Sequence, residues 1–156
     1  MPIYMNYDGV DGDVTAESHE GWIALHSVQW GSSRNLTTSG EASHRTKSAV
    51  QMREVVVTKD RDTSSGKLWR EHLMGDPKTV EIVWTKTSQG GETIYQKLKL
   101  TNSLVSSFGA AGHADAAPVE QLSLNFTEIE GTFYAMEEKG TKTSKPFVQS
   151  YNLSKG

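Results

Sequence analysis

The chain has 156 residues, 35% of them hydrophobic and 22% charged, with a formal net charge of −3 and no cysteine. A chain of this length suits one domain that buries about 70% of the surface its unfolded form exposes. The slightly acidic balance argues against a nucleic-acid binder, which needs a basic face, and the lack of cysteine excludes disulfides, thiolate nucleophiles and cysteine-based metal sites. No run approaches the ~18 apolar residues of a membrane-crossing helix. The opening residues, MPIYMNYDGVDGD, are polar and lack a signal-peptide layout, so any export is expected to use another route.

In chain order, Ile3–Tyr7 alternates Ile3, Met5 and Tyr7 against Tyr4 and Asn6, which predicts a strand ending at Asp8-Gly9. Trp22–Trp30 is rich in β-formers, but its pattern changes phase. Ile23 and Leu25 share one face and Val28 and Trp30 the other, so a bulge near His26-Ser27 is expected, with Gln29 projecting away from the core. Gln51–Lys59 reads as a central strand through Val55–Val57. Thr63–Met74 is the one good helix candidate. Asp62, Thr63, Ser64 or Ser65 can cap its start, Gly75 and Pro77 stop it, and Leu68, Trp69, His72 and Leu73 share a side.

The remainder reads as β. Thr79–Thr87 and Glu92–Leu100 flank Ser88-Gln89-Gly90-Gly91 as a hairpin. Thr101-Asn102 reads as a bend, Ser103–Phe108 continues the sheet, and Gly109–Pro118 reads as a small-residue loop. Gln121–Thr127 alternates cleanly, with Leu122, Leu124 and Phe126 inward. Glu130-Gly131 reads as a turn into Thr132–Met136, and Pro146–Leu153 as a last strand. Eight or nine short strands with one helix at the side imply an antiparallel β-barrel or sandwich.

Gly31–Ser48 is the anomaly. Of its 18 residues only Leu36 and Ala42 are apolar, and eleven are Gly, Ser, Thr or Asn. Connections in compact domains run to about 4–6 residues, so so long a polar one is either an insertion or an arm ordered by another molecule.

Catalytic chemistry is hard to find. The five histidines, His19, His26, His44, His72 and His113, are scattered, and no two share metal-site spacing. No G-x-S-x-G elbow is present. Asp8, Asp11 and Asp13 do not follow the calcium-loop pattern, and Gly90-Gly91 lies between strands rather than before a helix. The outward polar rows are more telling: Ser123, Asn125 and Thr127 on one strand, Gln96 and Lys97 on another, Ser106 and Ser107 on a third. They suit solvated sheet faces or a water-filled channel between subunits. A small-ligand-binding β-barrel is the alternative, because four Trp, five Tyr and four Phe would also line a pocket. A hydrolase would require His26, His72 or His113 to meet a carboxylate in a cleft.

Five stretches carry a family resemblance: YMNYDGVDGDVTAES, WIALHSVQWG, MREVVVTKDRDTSSGKLWREHLMGD, VEIVWTKTSQGGETIYQKLKL, and LTNSLVSSFGAAGH with VEQLSLNFTEIEGTFY. In this order they resemble the haemolysin-coregulated protein (Hcp) family, the tube subunit of the bacterial type VI secretion system. The likeness runs along nearly the whole chain. It implies an antiparallel β-barrel of two packed sheets with one short α-helix packed on the outside, a single domain over residues 1–156 with an extended loop at 31–48. It further implies homo-hexameric rings that stack into a tube, a spike tip protein, sheath proteins and secreted effectors as partners, and passage from the bacterial cytoplasm through the secretion apparatus. No enzyme activity, cofactor or metal is implied, and since the chain ends soon after the barrel, no fused toxin domain is expected. By resemblance, Arg34, Asn35, Leu36, Thr37, Glu41, His44 and Arg45 fall in the ring-stacking loop, and Ser27 and Gln29 face the lumen and its cargo. The loop departs from glycine-rich versions, being Ser/Thr-rich with Arg34, Arg45 and Lys47 set against Glu41.

Overall fold

Strand β1 (Ile3–Tyr7) alternates as its sequence predicts and buries Met5 and Tyr7 on one face. The structure, a computed structural model, describes residues 1–36, 49–135 and 145–155. Antiparallel neighbours flank β1, with β2 (Ile23–Leu25) on one side and β7 (Lys78–Ser88) on the other. β7 turns tightly into β8 (Gly91–His113), where Gly91 takes φ +105°, a conformation that side chains resist. β10 (Glu128–Phe133) pairs with the first part of β8, and β11 (Phe147–Asn152) pairs with β10.

The second sheet begins where β8 bends. Asn102 sits there at φ 53°, a conformation tolerated by Asn, as the Thr101-Asn102 signal predicts. Up to Ser103 β8 pairs with β7 and β10; from Leu104 on, with β9 (Ala116–Asn125). β9 pairs with β6 (Val55–Asp60), and β6 with β3 (Ser27–Gln29). A separate ribbon of β4 (Ser32–Ser33) and β5 (Gln51–Met52) stands at the base of the long connection.

The phase change in Trp22–Trp30 is the chain crossing between sheets. Ile23 and Leu25 are buried under β1, the backbone bends at His26, whose N–H meets the Thr58 carbonyl at 2.7 Å, and β3 then joins the second sheet. Val28 is half-buried, while Trp30 stays 40% exposed and stacks on Phe133. The ladder is therefore not closed by pairing, because β2 and β3 are its two ends. The barrel consists of two packed sheets sharing β8. Between them lie Met5, Ile23, Ile82, Leu98 and Leu100 from one side and Val55, Val57, Leu122 and Leu124 from the other, all fully buried. Each such side chain contributes about 1.5–3 kcal/mol of burial.

One inward position of β6 is not apolar. Lys59 continues the Val55–Val57 parity and is fully buried. Its ammonium donates to Glu120 of β9 at 2.7 Å, to Asp62 at 2.9 Å, to the Asp60 carbonyl at 2.8 Å and to Ser65 at 3.3 Å. Asp62 and Ser65 open helix α1 (Ser65–Met74), so this network fastens the helix to the second sheet. Gly75 ends α1 as expected, its N–H bonded to the Glu71 carbonyl. The helix buries a narrower side than its pattern suggests. Ser65 and Leu68 face down and His72 Nδ1 lies 2.8 Å from the Val105 carbonyl, whereas Trp69 and Leu73 stay more than half exposed. A short helix lying across a sheet presents one line of residues to it, and those two fall beside that line.

Two turn assignments also change. Gly131 lies within β10 rather than at a turn, and the ring of Phe133 occupies the space a Cβ would need, 2.9 Å away. Gly109–Pro118 is no loop: β8 and β9 continue as a paired ribbon out to His113 and Ala116, exposed on both faces from Gly109 to Ala117.

Candidate functional site

The outward face of the second sheet is built by register. Gln29 of β3 lies beside Val56 of β6, which lies beside Ser123 of β9 and then Ser107 of β8. The next row reads Ser27, Thr58, Gln121 and Gly109. Both rows present hydroxyls, amides, a methyl-bearing Val and a glycine, without a formal charge. Ser27 and Thr58 share a hydrogen bond between their hydroxyls. Charges appear only at the margins. At one end Glu54 accepts from Ser106 Oγ at 2.9 Å and Asn125 Nδ2 at 3.0 Å; at the other, His26 Nε2 lies 2.8 Å from Asp60. A broad open groove of about 790 Å³ runs over Gln29, Trp30, Arg53, Glu54 and Ser123.

Ser27 and Gln29 are thus both exposed on this face. Their row partners Thr58, Gln121 and Gly109 were not singled out from the sequence, although the Leu122–Leu124 alternation that exposes Ser123 exposes Gln121 as well. The polar rows divide between the sheets. Lys97 belongs to the first sheet and pairs with Glu81 at 3.3 Å, away from Ser123 and Ser107. Arg34, Asn35 and Leu36 follow β4 and are exposed. Thr37, Glu41, His44 and Arg45 lie outside the described residues.

The chemistry available here is hydrogen bonding. His26 and Asp60 are the pair that a hydrolase would need, but both are more than half exposed, and no hydroxyl bonds the imidazole among the described residues. An open, solvated pair has neither the orientation nor the desolvation that activates a nucleophile. Among the described residues no three His, Cys, Asp or Glu side chains group as a metal site. The space between the sheets is filled by the apolar core, which disfavours the small-ligand carrier.

A family profile described as "Type VI secretion system effector, Hcp" matches residues 4–133. The chain belongs to the Hcp family. It is accordingly a tube subunit of type VI secretion. Solved structures share the fold. A protein titled "Structure of a type six secretion system protein" superposes with a TM-score of 0.92 at 22% identity, over 99% of this chain and 96% of that one. Hcp1 from Salmonella typhimurium matches with a TM-score of 0.78 at 19% identity, over 99% and 95%. A type VI secretion system effector from Yersinia pestis gives 0.73 at 17%, over 96% and 98%. No curated protein sequence matches.

Proposed function

We propose that this Hcp-family chain acts as a structural subunit over its whole length, residues 1–156, in homo-hexameric rings that stack into a secretion conduit. The observation that carries the reading is a set of surfaces that no described residue covers. The β8–β9 ribbon is open on both faces between Gly109 and Ala117, and a two-stranded ribbon by itself is marginal in water. Edge strand β11 exposes Phe147 at 65% and Val148 at 50%. Nearby, Trp30, Met52, Phe133 and Phe147 line an apolar groove of about 310 Å³. Such surfaces suit head-to-tail contacts, which close into rings.

In this arrangement the neutral rows around Ser27 and Gln29 face the lumen. A hydrated, uncharged lining lets proteins of varied charge pass. Arg34, Asn35 and Leu36, with Thr37, Glu41, His44 and Arg45, contact the next ring. Spike, sheath and effector proteins are the remaining partners, and the subunit leaves the cell through the apparatus. No described helix is long and apolar enough to cross a membrane.

Electron microscopy and native mass spectrometry of the purified chain test the proposal. Six-membered rings with an open centre are expected at high concentration. Uniform monomers at that concentration would overturn it, and a co-purifying small ligand would return attention to the carrier.

A further inference from the structure

Residues 8–22 leave the first sheet after β1 and return to it at β2. Their backbone groups largely bond to one another: Gly12 N–H to the Gly21 carbonyl at 2.8 Å, Val14 N–H to Trp22 at 3.0 Å, Gly21 N–H to Val14 at 2.9 Å and His19 N–H to Ala16 at 2.9 Å. A segment this short has no core of its own, so these internal bonds open to exchange once the side chains that fasten it let go. Val10 anchors the start of the segment in the core, and beyond it side chains fasten residues 11–22 at two places. Asp13 accepts from the backbone N–H and the hydroxyl of Thr63, just ahead of α1.

The second fastening is His19, only 5% exposed. Its ring stacks on Tyr4 with centroids 5.1 Å apart and meets the edge of Trp22 at 4.8 Å. Glu92 of β8 accepts the Tyr4 hydroxyl at 2.7 Å through one oxygen, while the other stands 3.9 Å from His19 Nδ1. Among the described residues neither Nδ1 nor that second oxygen has a hydrogen-bond partner. This environment suits a neutral imidazole. Charging the ring strands a cation among aromatic side chains, and Glu92 compensates for only part of the loss. Burial is the larger effect and holds the His19 pKa below its ordinary value. Glu92 is the charged group facing the ring from β8, and Tyr4 is the titratable one from β1. Glu17 and Glu20, on the loop's own turn, are exposed.

We propose that Tyr4, His19, Trp22 and Glu92 form an acid-sensitive clasp, in which protonation of His19 loosens residues 11–22 from the outer face of the first sheet while the sheets stay intact. The sign follows from linkage. The docked loop binds the proton less tightly than the freed loop, so docking is strongest above pH ~6.5 and weakens as pH falls from there toward the docked-state pKa. Freeing the loop uncovers Tyr4, which is buried in the docked form against His19. The inference is independent of ring assembly.

Amide hydrogen exchange of the full chain between pH 7.5 and 5, corrected for intrinsic rates, is the test. Protection of Gly12, Val14 and Gly21 should fall severalfold relative to β6 and β9. His19→Phe keeps a ring in the stack without a titrating group, and its protection should not respond to acid. The His19 imidazole resonances should titrate below the ordinary histidine value of about 6.5. Unchanged protection down to pH 5, an equal acid response in His19→Phe, or a His19 midpoint at or above about 6.5 would each overturn the clasp. If His19→Phe fails to fold, the wild-type exchange and resonance titrations decide alone.

Discussion

Replacing Lys59 by Met removes a charge that solvent does not reach, and the consequence can be worked out from the groups left behind. Glu120 is 4% exposed, and its Oε1 then retains only the Ser65 hydroxyl at 2.8 Å. Asp62 keeps its bond from the Ser64 N–H, so the helix start is not stripped bare. Leaving a buried charge without its partner costs about 3–5 kcal/mol, which in a chain of this size lowers the melting temperature by about 6–20 °C. Glu120→Leu should cost less, because Lys59 still has Asp62 at 2.9 Å. The double variant, Lys59→Met with Glu120→Leu, should recover most of the loss, since apolar packing can replace a buried ion pair. Urea unfolding at a concentration that keeps the chain monomeric measures all three. The reasoning is refuted if Lys59→Met stays within about 0.5 kcal/mol of the parent, or if the double variant loses the sum of the single losses.

Gly12→Ala should cost about 1–3 kcal/mol, because its Cβ would stand 2.5 Å from the Trp22 carbonyl oxygen and 2.8 Å from Ile23 Cα. Gly66→Ala, within α1 and with nothing in reach, should instead stabilise by about 0.4–1 kcal/mol; both are read from urea midpoints. Asn102→Val should lose about 1–2 kcal/mol, because a β-branched residue resists φ 53°. Tyr4 and Tyr7 are pushed up to about 12, mainly by burial, with Glu92 assisting at Tyr4 and Glu71 at Tyr7. Their stabilising effect is complete below pH 10 and is lost between pH 10 and 12, so two of the five tyrosines should ionise late by absorbance at 295 nm, with unfolding setting in over the same range.

Much of the architecture is legible wherever one physical signal dominates. The phase change between Leu25 and Val28 was legible as a break, but it reads as a bulge near His26-Ser27, whereas the bend there carries the chain from one sheet to the other and leaves Trp30 exposed. Ser88–Gly91 and Gly75 were legible because turn and stop chemistry is local. Other features were hidden for equally physical reasons. Lys59 is invisible to apolar patterning, since only the distant Glu120 makes its burial tolerable. Trp69 and Leu73 carry the composition of a core face but lie beside the contact line of the helix. The Gly109–Ala117 ribbon holds residues too small to show an alternation, so it read as a loop. At the candidate site, parity was enough to turn Gln29 outward. What faces it in an assembly depends on another copy, which the periodicity of one chain does not encode.

The bend at Asn102 has a mechanical consequence. Because one covalent strand serves both sheets, neither can peel away without dragging the other, and the two halves share one unfolding transition. Force applied at the hairpin tip near Gln89 travels along β8 to the ribbon at His113, through cross-strand bonds loaded in shear. Bonds in shear yield together rather than one after another. A chain wired in this way is expected to resist being pulled apart along β8 as one unit.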